Sequence, residues 1–330
     1  MTEFFPYPLL TREQVQHTIN EFSRKGIPFF VLIRFDATAG YCIPEDDLDT
    51  RWLKVAFHSS RVNSGLQPEL TDWQAVPVDK LTYSHRFQRV MSSIRRGDTF
   101  LINLTQPAGI HTSHSIEELF DLAVAPYKVW VKNSFVCFSP ECFVKIDDGI
   151  IRTFPMKGTI DASLENAAER ILADEKEKAE HATIVDLLRN DLSMVATDVQ
   201  LNRYRYIDRI RTHSGELLQV SSEIQGTLPS DYRERLGDIL FALLPAGSVS
   251  GAPKARTLEI ISEVEEYDRG FYTGICGYFD GMVLDTAVMI RYVEQGSEGL
   301  SFKSGGGITF RSEMELEYQE LIQKIYVPMY

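Results

Sequence analysis

The sequence predicts an α+β fold, with helices covering antiparallel sheets in a single domain over residues 1–330. Stretches rich in β-branched and aromatic residues occur in consecutive groups, and long segments with helical periodicity separate these groups. Such an arrangement favours antiparallel sheets over alternating βαβ units. No internal repeat, low-complexity tract or Pro/Gly/Ser-rich linker divides the chain, which favours one domain over two.

The first predicted elements are a helix over Thr11–Lys25 and a buried strand over Ile27–Phe35. Thr11 is a favourable N-cap because its side chain can accept a hydrogen bond from the first turn, and Gly26 is a favourable stop. The second segment is a nearly continuous apolar run, which is typical of a strand covered on both faces.

The remaining elements are predicted from the same two signals, which are helical periodicity with favourable ends and runs of strand-forming residues. Further strands are predicted at Trp52–Phe57, Phe100–Thr105, Lys128–Phe138, Cys142–Ile146, Leu217–Ile224, Gly270–Phe279, Leu284–Val293 and Leu300–Ser304. Further helices are predicted at Ser84–Arg96, Ser115–Val124, Ala162–Leu192, Asp231–Leu244, Gly251–Glu266 and Ser312–Ile325. Capping boxes are expected from Ser115 with Glu118 and from Ser312 with Glu315.

Charge and composition narrow the class of protein. Asp and Glu outnumber Lys and Arg by 47 to 34, and the resulting net charge of −13 repels a phosphodiester backbone. The four cysteines have neither CxxC spacing nor the density of a disulfide-rich domain. The amino terminus lacks a signal-peptide pattern, and no apolar run is long enough to span a bilayer. We therefore expect a cytoplasmic protein with reduced thiols and with neither nucleic acid nor membrane as a partner.

Two pairs of glutamates have a spacing that suits a metal site. Glu177 and Glu180 lie three residues apart in one predicted helix, and Glu317 and Glu320 repeat this spacing in the last one. Each pair therefore projects from one helical face. Facing pairs supply the oxygen ligands that Mg²⁺ prefers, whereas the alternative for each pair alone is a solvated helical face.

Two glycine-containing segments and one arginine suggest an anion site. Ser304–Gly307 follows a predicted strand and precedes a helix, so its backbone amides can approach an anion closely. Pro245–Lys254 also precedes a helix, but its spacing is not that of a P-loop. Each segment alone is equally compatible with an ordinary loop. Arg291 ends an apolar strand, where a guanidinium needs a carboxylate partner from the protein or a ligand.

Several segments form long, ordered motifs. They are Ser139–Glu141, Pro155–Thr159, Ala179–Asp191, Gly247–Lys254, Gly274–Tyr278, Asp285–Thr286, Gly305–Gly307 and Glu317–Glu320. In combination they resemble the chorismate-utilising enzymes, specifically the aminodeoxychorismate synthase component I family. The similarity runs from about Arg95 to the carboxyl terminus, and residues 1–94 look like a shortened, less typical form of the family's amino-terminal part.

The resemblance implies a fold and a set of ligand-binding residues. The fold is two stacked antiparallel β-sheets flanked by helices, with the active site between the sheets. The metal is Mg²⁺, held by Glu180 and Glu320 with Glu177 and Glu317 in support, and it engages the ring carboxylate of chorismate. The implied substrate-binding residues are Thr159, Ser248, Tyr272, Arg291, Gly305, Gly306, Gly307 and Lys324.

The resemblance also implies a reaction at Lys157. This lysine stands in the motif where anthranilate-forming relatives carry alanine, and its amine is expected to attack ring C2 while the C4 hydroxyl leaves. Ammonia then attacks C4 and expels the lysine. Glu141 is the expected acid that protonates the hydroxyl. Because the attacking amine must be neutral, we expect burial beside magnesium to lower the pKa of Lys157.

Two positions depart from the family pattern. Gln219 replaces a histidine that is associated with pyruvate elimination, so release of aminodeoxychorismate to a separate lyase is expected. Leu101 stands where aminating relatives have glutamine and water-adding relatives have lysine, which disfavours attack by water.

The expected partners are chorismate, a glutamine amidotransferase subunit that supplies ammonia, and the aminodeoxychorismate lyase. The expected pathway is the p-aminobenzoate branch of folate biosynthesis. Two alternatives remain open at the level of sequence. One is anthranilate synthase component I, and the other is a catalytically silent chorismate-binding regulatory subunit.

Overall fold

A computed structural model of the chain describes residues 5–58, 70, 72–212 and 215–329. Its helices are α1 (Arg12–Lys25), α2 (Lys80–Arg96), α3 (Ile116–Leu122), α4 (Ala167–Ala173), α5 (Glu175–Ser193), α6 (Leu236–Leu243), α7 (Lys254–Glu265) and α8 (Met314–Gln323). Its strands are β1 (Leu10–Thr11), β2 (Phe29–Ile33), β3 (Ala39–Pro44), β4 (Leu53–Phe57), β5 (Gln74–Val76), β6 (Leu101–His111), β7 (Tyr127–Val131), β8 (Phe135–Ser139), β9 (Cys142–Asp147), β10 (Ile150–Thr153), β11 (Met156–Asp161), β12 (Thr197–Thr212), β13 (Gly215–Thr227), β14 (Gly251–Ala252), β15 (Ile275–Phe279), β16 (Leu284–Val288), β17 (Tyr292–Gly296) and β18 (Gly299–Thr309).

Within the described residues these strands form two antiparallel sheets. The first sheet has the order β1-β3-β2-β15-β16-β9-β10-β13-β11, and β12 also pairs with β13. The second has the order β14-β6-β18-β17-β8-β7-β4, and β5 also pairs with β6. The described architecture therefore confirms the α+β prediction and the two antiparallel sheets that the resemblance implied.

Apolar residues fill the space between the sheets and the space beneath the helices. Phe30 of β2, Cys276 of β15, Val129 of β7 and Tyr292 of β17 belong to one buried cluster that joins the two sheets. Other clusters pack α1, α5 and α6 against the first sheet and α2, α7 and α8 against the second. Burial of both faces explains why the central strands are almost wholly apolar.

The predicted amino-terminal helix and strand are confirmed. The Thr11 side chain accepts a hydrogen bond from the Gln14 amide, which forms a capping box, and Gly26 ends α1 in the left-handed conformation with a φ of 67°. The following apolar run contains β2, all of whose residues are buried. The capping box of Ser115 with Glu118 is also confirmed at the start of α3.

Three predicted elements are each interrupted in the structure. The segment predicted as one helix over Ala162–Leu192 contains α4 and α5, because the Asp174 side chain accepts a hydrogen bond from the Glu177 amide and caps a new helix. Lys128–Phe138 contains a turn between β7 and β8, and Leu284–Val293 is broken between β16 and β17 at Arg291. The sequence prediction also missed β1, β3, β5, β10, β11, β12 and β14.

Two local predictions are wrong. Ser312 does not form a capping box with Glu315, because the N-cap of α8 is Glu313, one residue later than expected, and Glu315 instead pairs with Lys80. Gly305–Gly307 is not a turn but lies inside β18, in register with Asn103–Thr105 of β6. A Cβ atom on Gly305 would lie 2.6 Å from Thr105 Cγ2, so close strand packing requires this glycine.

The four cysteines carry free thiols that are shielded from solvent. Cys137 and Cys276 are buried, while Cys42 and Cys142 are half-buried. Burial raises the pKa of all four thiols, in the case of Cys142 to about 12. Within the described ranges, no helix combines the length and apolar character of a membrane span.

Candidate active site

A cavity of about 660 Å³ lies between the two sheets. Its walls come from β6 and β18 of the second sheet, from β11 and β13 of the first, and from α5 and α8. The lining includes, among the residues predicted from the sequence, Glu141, Lys157, Thr159, Glu177, Glu180, Ser248, Tyr272, Arg291, Gly305, Gly306, Gly307, Glu320 and Lys324. Glu317 is buried directly behind this lining, where its Oε2 atom would be 3.5 Å from a Cβ atom on Gly306.

Lys157 extends from β11 toward the carboxylates of α5. Its Nζ atom lies 2.9 Å from Glu180 Oε2, and Lys176 approaches the other oxygen of Glu180 at 3.8 Å. Gly158 has a φ of +86°, and a Cβ atom there would lie 2.8 Å from Glu177 Oε2. The glycine therefore lets α5 approach β11 closely enough to bring the amine and the carboxylates together.

The electrostatic environment of Lys157 differs from the expectation. Burial by itself lowers the pKa of the amine, as expected, but the negative charges of Glu180, Glu320 and Glu177 outweigh burial. The net effect within this chain is a raised pKa, which favours the ammonium form. Deprotonation of this lysine therefore requires that the nearby carboxylate charge be neutralised.

The four carboxylates predicted to hold a metal are partly unsatisfied. Glu177 Oε2 is buried and has no hydrogen-bond partner within the described part of the chain. Burial raises the pKa of Glu177, and repulsion from Glu180 adds to this effect. Burial also raises the pKa of Glu317, with a contribution from Glu320. Glu320 pairs with Lys324 at 2.7 Å, and this partner lowers the pKa of Glu320 against the opposing effect of burial.

This donor set is compatible with a magnesium ion. Among the described residues no three carboxylate, imidazole or thiol groups gather around one point. Mg²⁺ commonly uses only one or two protein carboxylates and completes its coordination with substrate oxygens and water. Glu180 and Glu320 can supply those two carboxylates. The buried Glu177 oxygen is a further carboxylate atom that a nearby cation would stabilise.

Glu141 is a buried carboxyl group in the cavity lining with a raised pKa. It lies at the junction of β8 and β9, and Ser248 Oγ donates a hydrogen bond of 2.6 Å to its Oε1 atom. Burial raises the pKa of Glu141, although the Ser248 hydroxyl, Lys324 and Arg291 act in the opposite direction. A carboxyl group in this position can donate a proton at a pH where an exposed glutamate cannot.

Arg291 and Lys324 provide positive charge at one end of the cavity. Arg291 has a φ of 53°, and its guanidinium lies 5.0 Å from the centroid of the Tyr326 ring. Its Nε atom is buried and finds no hydrogen-bond partner among the residues that the structure describes. Lys324 Nζ donates a hydrogen bond to the Gly305 carbonyl oxygen at 3.0 Å. A planar group with a free donor can bind a carboxylate, so this end of the cavity suits an anionic ligand.

The cavity also contains residues whose importance the sequence did not indicate. Asn103 of β6 and Lys303 of β18 both line it, and Lys303 is buried while pairing with Glu294 at 2.9 Å. The two departures, Leu101 and Gln219, face the same cavity. A strand pattern shows which side chains share a face, but it does not show which polar atom lacks a partner.

The family model described as chorismate binding enzyme matches residues 43–330. The chain belongs to the chorismate-binding enzyme family. An uncharacterised PabA-like protein of Pasteurella multocida is 47% identical over 314 residues, covering 94% of this chain and 97% of that protein. This relative is therefore similar to the chain over almost the whole length of both proteins.

Family members with assigned names match with lower identity. Aminodeoxychorismate synthase component 1 of Bacillus subtilis is 30% identical over 276 residues, which cover 79% of this chain and 57% of that protein. Anthranilate synthase component 1 1 of Haloarcula marismortui is 36% identical over 259 residues, which cover 74% of this chain and 52% of that protein. The names of these two relatives refer to enzymes that make different products. Sequence identity to them therefore does not decide which reaction this chain catalyses.

The fold comparison agrees with the family. The crystal structure of anthranilate synthase component I from Streptococcus pneumoniae superposes with a TM-score of 0.71 and 24% identity, covering 91% of this chain and 80% of that one. At this identity the comparison supports the fold alone. It places the stacked sheets and flanking helices of this chorismate-binding protein within a known architecture.

Proposed function

We propose that the chain is the synthase component of aminodeoxychorismate synthase, which replaces the C4 hydroxyl of chorismate with ammonia. The observation that carries this proposal is Lys157, whose amine lies in the cavity 2.9 Å from Glu180, with Glu141 also in the cavity lining. An amine and a buried carboxyl group with a raised pKa in one cavity can supply a nucleophile and an acid. The polar end formed by Arg291 and Lys324 suits the enolpyruvyl carboxylate.

The proposed reaction consists of two displacements. The Lys157 amine forms a bond to ring C2, the double bonds shift, and the C4 hydroxyl leaves as water with a proton from Glu141. Ammonia then bonds to C4 while the bond between C2 and Lys157 breaks, and the electron pair returns to the lysine nitrogen. The C4 ammonium group gives one proton to the Glu141 carboxylate, which restores both side chains.

Magnesium is the proposed cofactor, held by Glu180 and Glu320 with support from Glu177 and Glu317. When bound, it supplies positive charge for the ring carboxylate of chorismate. Within the chain, Lys157 and the carboxylates attract one another, and this attraction keeps the amine protonated. We infer that neutralisation of these carboxylates frees the amine for attack.

The proposed partners follow from the chemistry. Free ammonia is mostly protonated at neutral pH, so a glutamine amidotransferase subunit is the proposed source of the nucleophile. Gln219 faces the cavity and lacks the basicity needed to remove a proton during pyruvate elimination. The product is therefore proposed to leave as aminodeoxychorismate, which a separate lyase converts to p-aminobenzoate for folate biosynthesis.

Product analysis tests this function and separates it from its two alternatives. The chain would be incubated with chorismate, ammonium and magnesium, with and without aminodeoxychorismate lyase. We expect p-aminobenzoate only when the lyase is present. Anthranilate in both samples would instead show the activity of anthranilate synthase, which the name of the Haloarcula marismortui relative makes the second candidate. No turnover at high ammonium would indicate a silent chorismate-binding subunit.

Replacement of the lysine tests the covalent route. We expect Lys157→Ala to reduce formation of aminodeoxychorismate by at least about a thousandfold, because water and ammonia cannot replace a positioned nucleophile. Lys178→Ala is the matched control, since Lys178 is an exposed lysine of α5 whose nearest acidic partner is Glu175 at 3.5 Å. A Lys157→Ala protein that works at the wild-type rate would exclude the lysine adduct.

A further inference from the structure

Asn103 places a buried, unpaired amide oxygen at the wall of the cavity. The residue lies on β6 and belongs to the cavity lining, and its Oδ1 atom has no hydrogen-bond partner among the described residues. A buried acceptor without a donor is unfavourable, and such groups in folded proteins commonly receive a bond from a ligand or water. The oxygen therefore indicates a ligand that carries an N–H or O–H group.

The backbone around Asn103 is held rigidly. The Asn103 amide donates to the Ser250 carbonyl oxygen at 2.9 Å, and the Asn103 carbonyl oxygen accepts from Arg269 Nη2 at 2.7 Å. Arg269 is itself fixed by a buried ion pair of 2.6 Å with Glu265, and the two side chains are only 2% and 1% exposed. Because both backbone groups are held, the fold sets the direction in which the side chain leaves the backbone.

The surroundings of Asn103 leave space for a small ligand. Gly307 is its register partner on β18 and has no side chain. Leu101 precedes it by two residues on the same strand, so both side chains face the cavity, and leucine offers no hydrogen bond. The amide is thus the polar group that this part of β6 presents to the cavity.

The Asn103 backbone is hydrogen-bonded to the turn that contacts the acid. Ser250, which accepts the Asn103 amide hydrogen, follows Ser248 by two residues in the same turn. Ser248 in turn donates to Glu141 at 2.6 Å. The turn that holds the Asn103 backbone therefore also contacts the group proposed to protonate the departing hydroxyl, and the incoming nucleophile must reach the carbon that this hydroxyl leaves.

We propose that Asn103 binds the incoming ammonia and orients it toward ring C4, an inference that rests on the proposed function. A neutral amide oxygen can accept one N–H bond from ammonia while the lone pair of ammonia stays free for attack. A carboxylate at this position would favour ammonium, whose lone pair is occupied. Asn103 exchanges no proton itself, so the proton released after attack passes to the Glu141 carboxylate.

The test uses Asn103→Leu, which keeps a similar volume and removes the acceptor. Initial rates are measured against ammonium concentration at saturating chorismate, and chorismate affinity is measured separately by equilibrium binding without ammonium. We expect the KM for ammonia to rise about tenfold, the loss expected for one hydrogen bond, while the chorismate Kd changes by less than about twofold. Asn202→Leu, at an exposed position of β12, is the control and is expected to change neither value.

Two further variants sharpen the test. Asn103→Asp keeps the acceptor geometry but adds negative charge, and we expect its ammonia-dependent rate to fall at least as far as that of Asn103→Leu. Asn103→Ala serves as the second variant without an acceptor if leucine prevents folding, as judged by thermal unfolding. Wild-type behaviour of Asn103→Asp would exclude the requirement for a neutral acceptor and overturn the inference.

The outcomes separate this inference from the proposed function. If wild-type protein converts chorismate and ammonium but Asn103→Leu keeps the same KM for ammonia, the role of Asn103 is wrong and the function stands. A weakened chorismate Kd with unchanged ammonia dependence would also overturn it, because Asn103 would then hold the ring. Absence of aminodeoxychorismate from the wild-type protein would overturn both.

Discussion

Glu141 is buried and accepts a short hydrogen bond from Ser248, and these two features shift its pKa in opposite directions. Burial raises its pKa, while the Ser248 hydroxyl, Lys324 and Arg291 limit the rise. An exposed glutamate has a pKa of about 4.3. The Glu141 carboxyl group therefore stays protonated above the pH at which an exposed glutamate ionises, and activity that needs the acid form is lost as pH rises through the raised pKa.

We predict that Glu141→Gln lowers kcat/KM by about 10² to 10⁴, the usual contribution of a general acid. The residual activity should no longer fall with rising pH in the way that the wild-type activity does. The measurement is kcat/KM for chorismate against pH, with each rate divided by the concentration of unprotonated ammonia. Ser248→Ala is the informative comparison, because loss of its hydrogen bond should raise the Glu141 pKa further and move the decline to higher pH. Unchanged activity of Glu141→Gln would contradict the assignment.

The sequence predicted which residues share the cavity better than it predicted their electrostatic state. Lys157, Glu141 and Glu180 line one cavity, as the resemblance implied, because each lies in a long motif. The raised pKa of Lys157 was not predicted, since it depends on carboxylates that come from separate helices. Asn103 was missed for a similar reason, because an unpaired atom is a property of its three-dimensional surroundings.

At the scale of elements, Gly158 determines how closely β11 and α5 pack. Its φ of +86° is a conformation that L side chains rarely adopt, and a Cβ atom would lie 2.8 Å from Glu177 Oε2. We predict that Gly158→Ala lowers the free energy of unfolding by about 1–2 kcal/mol from backbone strain alone. Turnover should also fall, because the Glu177 carboxylate must move.

Gly306→Ala is the matched control for this prediction. A Cβ atom on Gly306 would approach no heavy atom more closely than Glu317 Oε2 at 3.5 Å, an ordinary contact. We expect its free energy of unfolding to stay within about 1 kcal/mol of wild type, the cost or gain usual for a compatible glycine replacement. Urea unfolding of the two variants measures the difference, and equal stabilities would show that Gly158 is not required for packing.

Element types were easier to predict than the points where elements break. Thr11 and Gly26 bound α1 as expected, because capping is decided by neighbouring residues. The break at Asp174 was not predicted, although Asp174 is a favourable N-cap, since the flanking residues continue a helical pattern. The glycine run in β18 was predicted as a turn. The prediction failed because glycine also occurs where two strands pack closely.

At the scale of the whole molecule, the cavity brings together carboxylates from opposite sides of the structure. Helix α5 packs on β11 and β13 of the first sheet, and α8 packs on β18 of the second. Repulsion within this set raises the pKa of Glu177 and of Glu317, after the larger effect of burial. A divalent cation between the two helices would relieve that repulsion and connect the two sheets.

We predict that Mg²⁺ stabilises the whole fold. Binding to the folded state alone contributes about 2.7 kcal/mol at a concentration one hundred times Kd. Thermal unfolding with increasing Mg²⁺, and again with a chelator, measures the effect. The double variant Glu180→Gln with Glu320→Gln should lose the response, whereas Glu313→Gln, at an exposed position before α8, should keep it. An equal response in the double variant would place the cation elsewhere.

Long-range pairing is the part of the fold that local patterns could not predict. Composition and periodicity predicted α+β, and the resemblance supplied the stacked sheets. Nothing in the apolar run of β2 indicates that it lies beside β15, because any buried strand can satisfy its hydrogen bonds with any other. The prediction of a single domain over residues 1–330 remains a proposal that is compatible with the shared cluster between the sheets.

The shielded thiols of Cys42, Cys137, Cys142 and Cys276 have a practical consequence for labelling. Their raised pKa values leave very little thiolate at neutral pH, and thiolate is the species that attacks maleimides. A cysteine introduced at an exposed position, such as Lys178→Cys on α5, would react much faster than the native four. A fluorophore could thus report on helix movement without first removing any native cysteine.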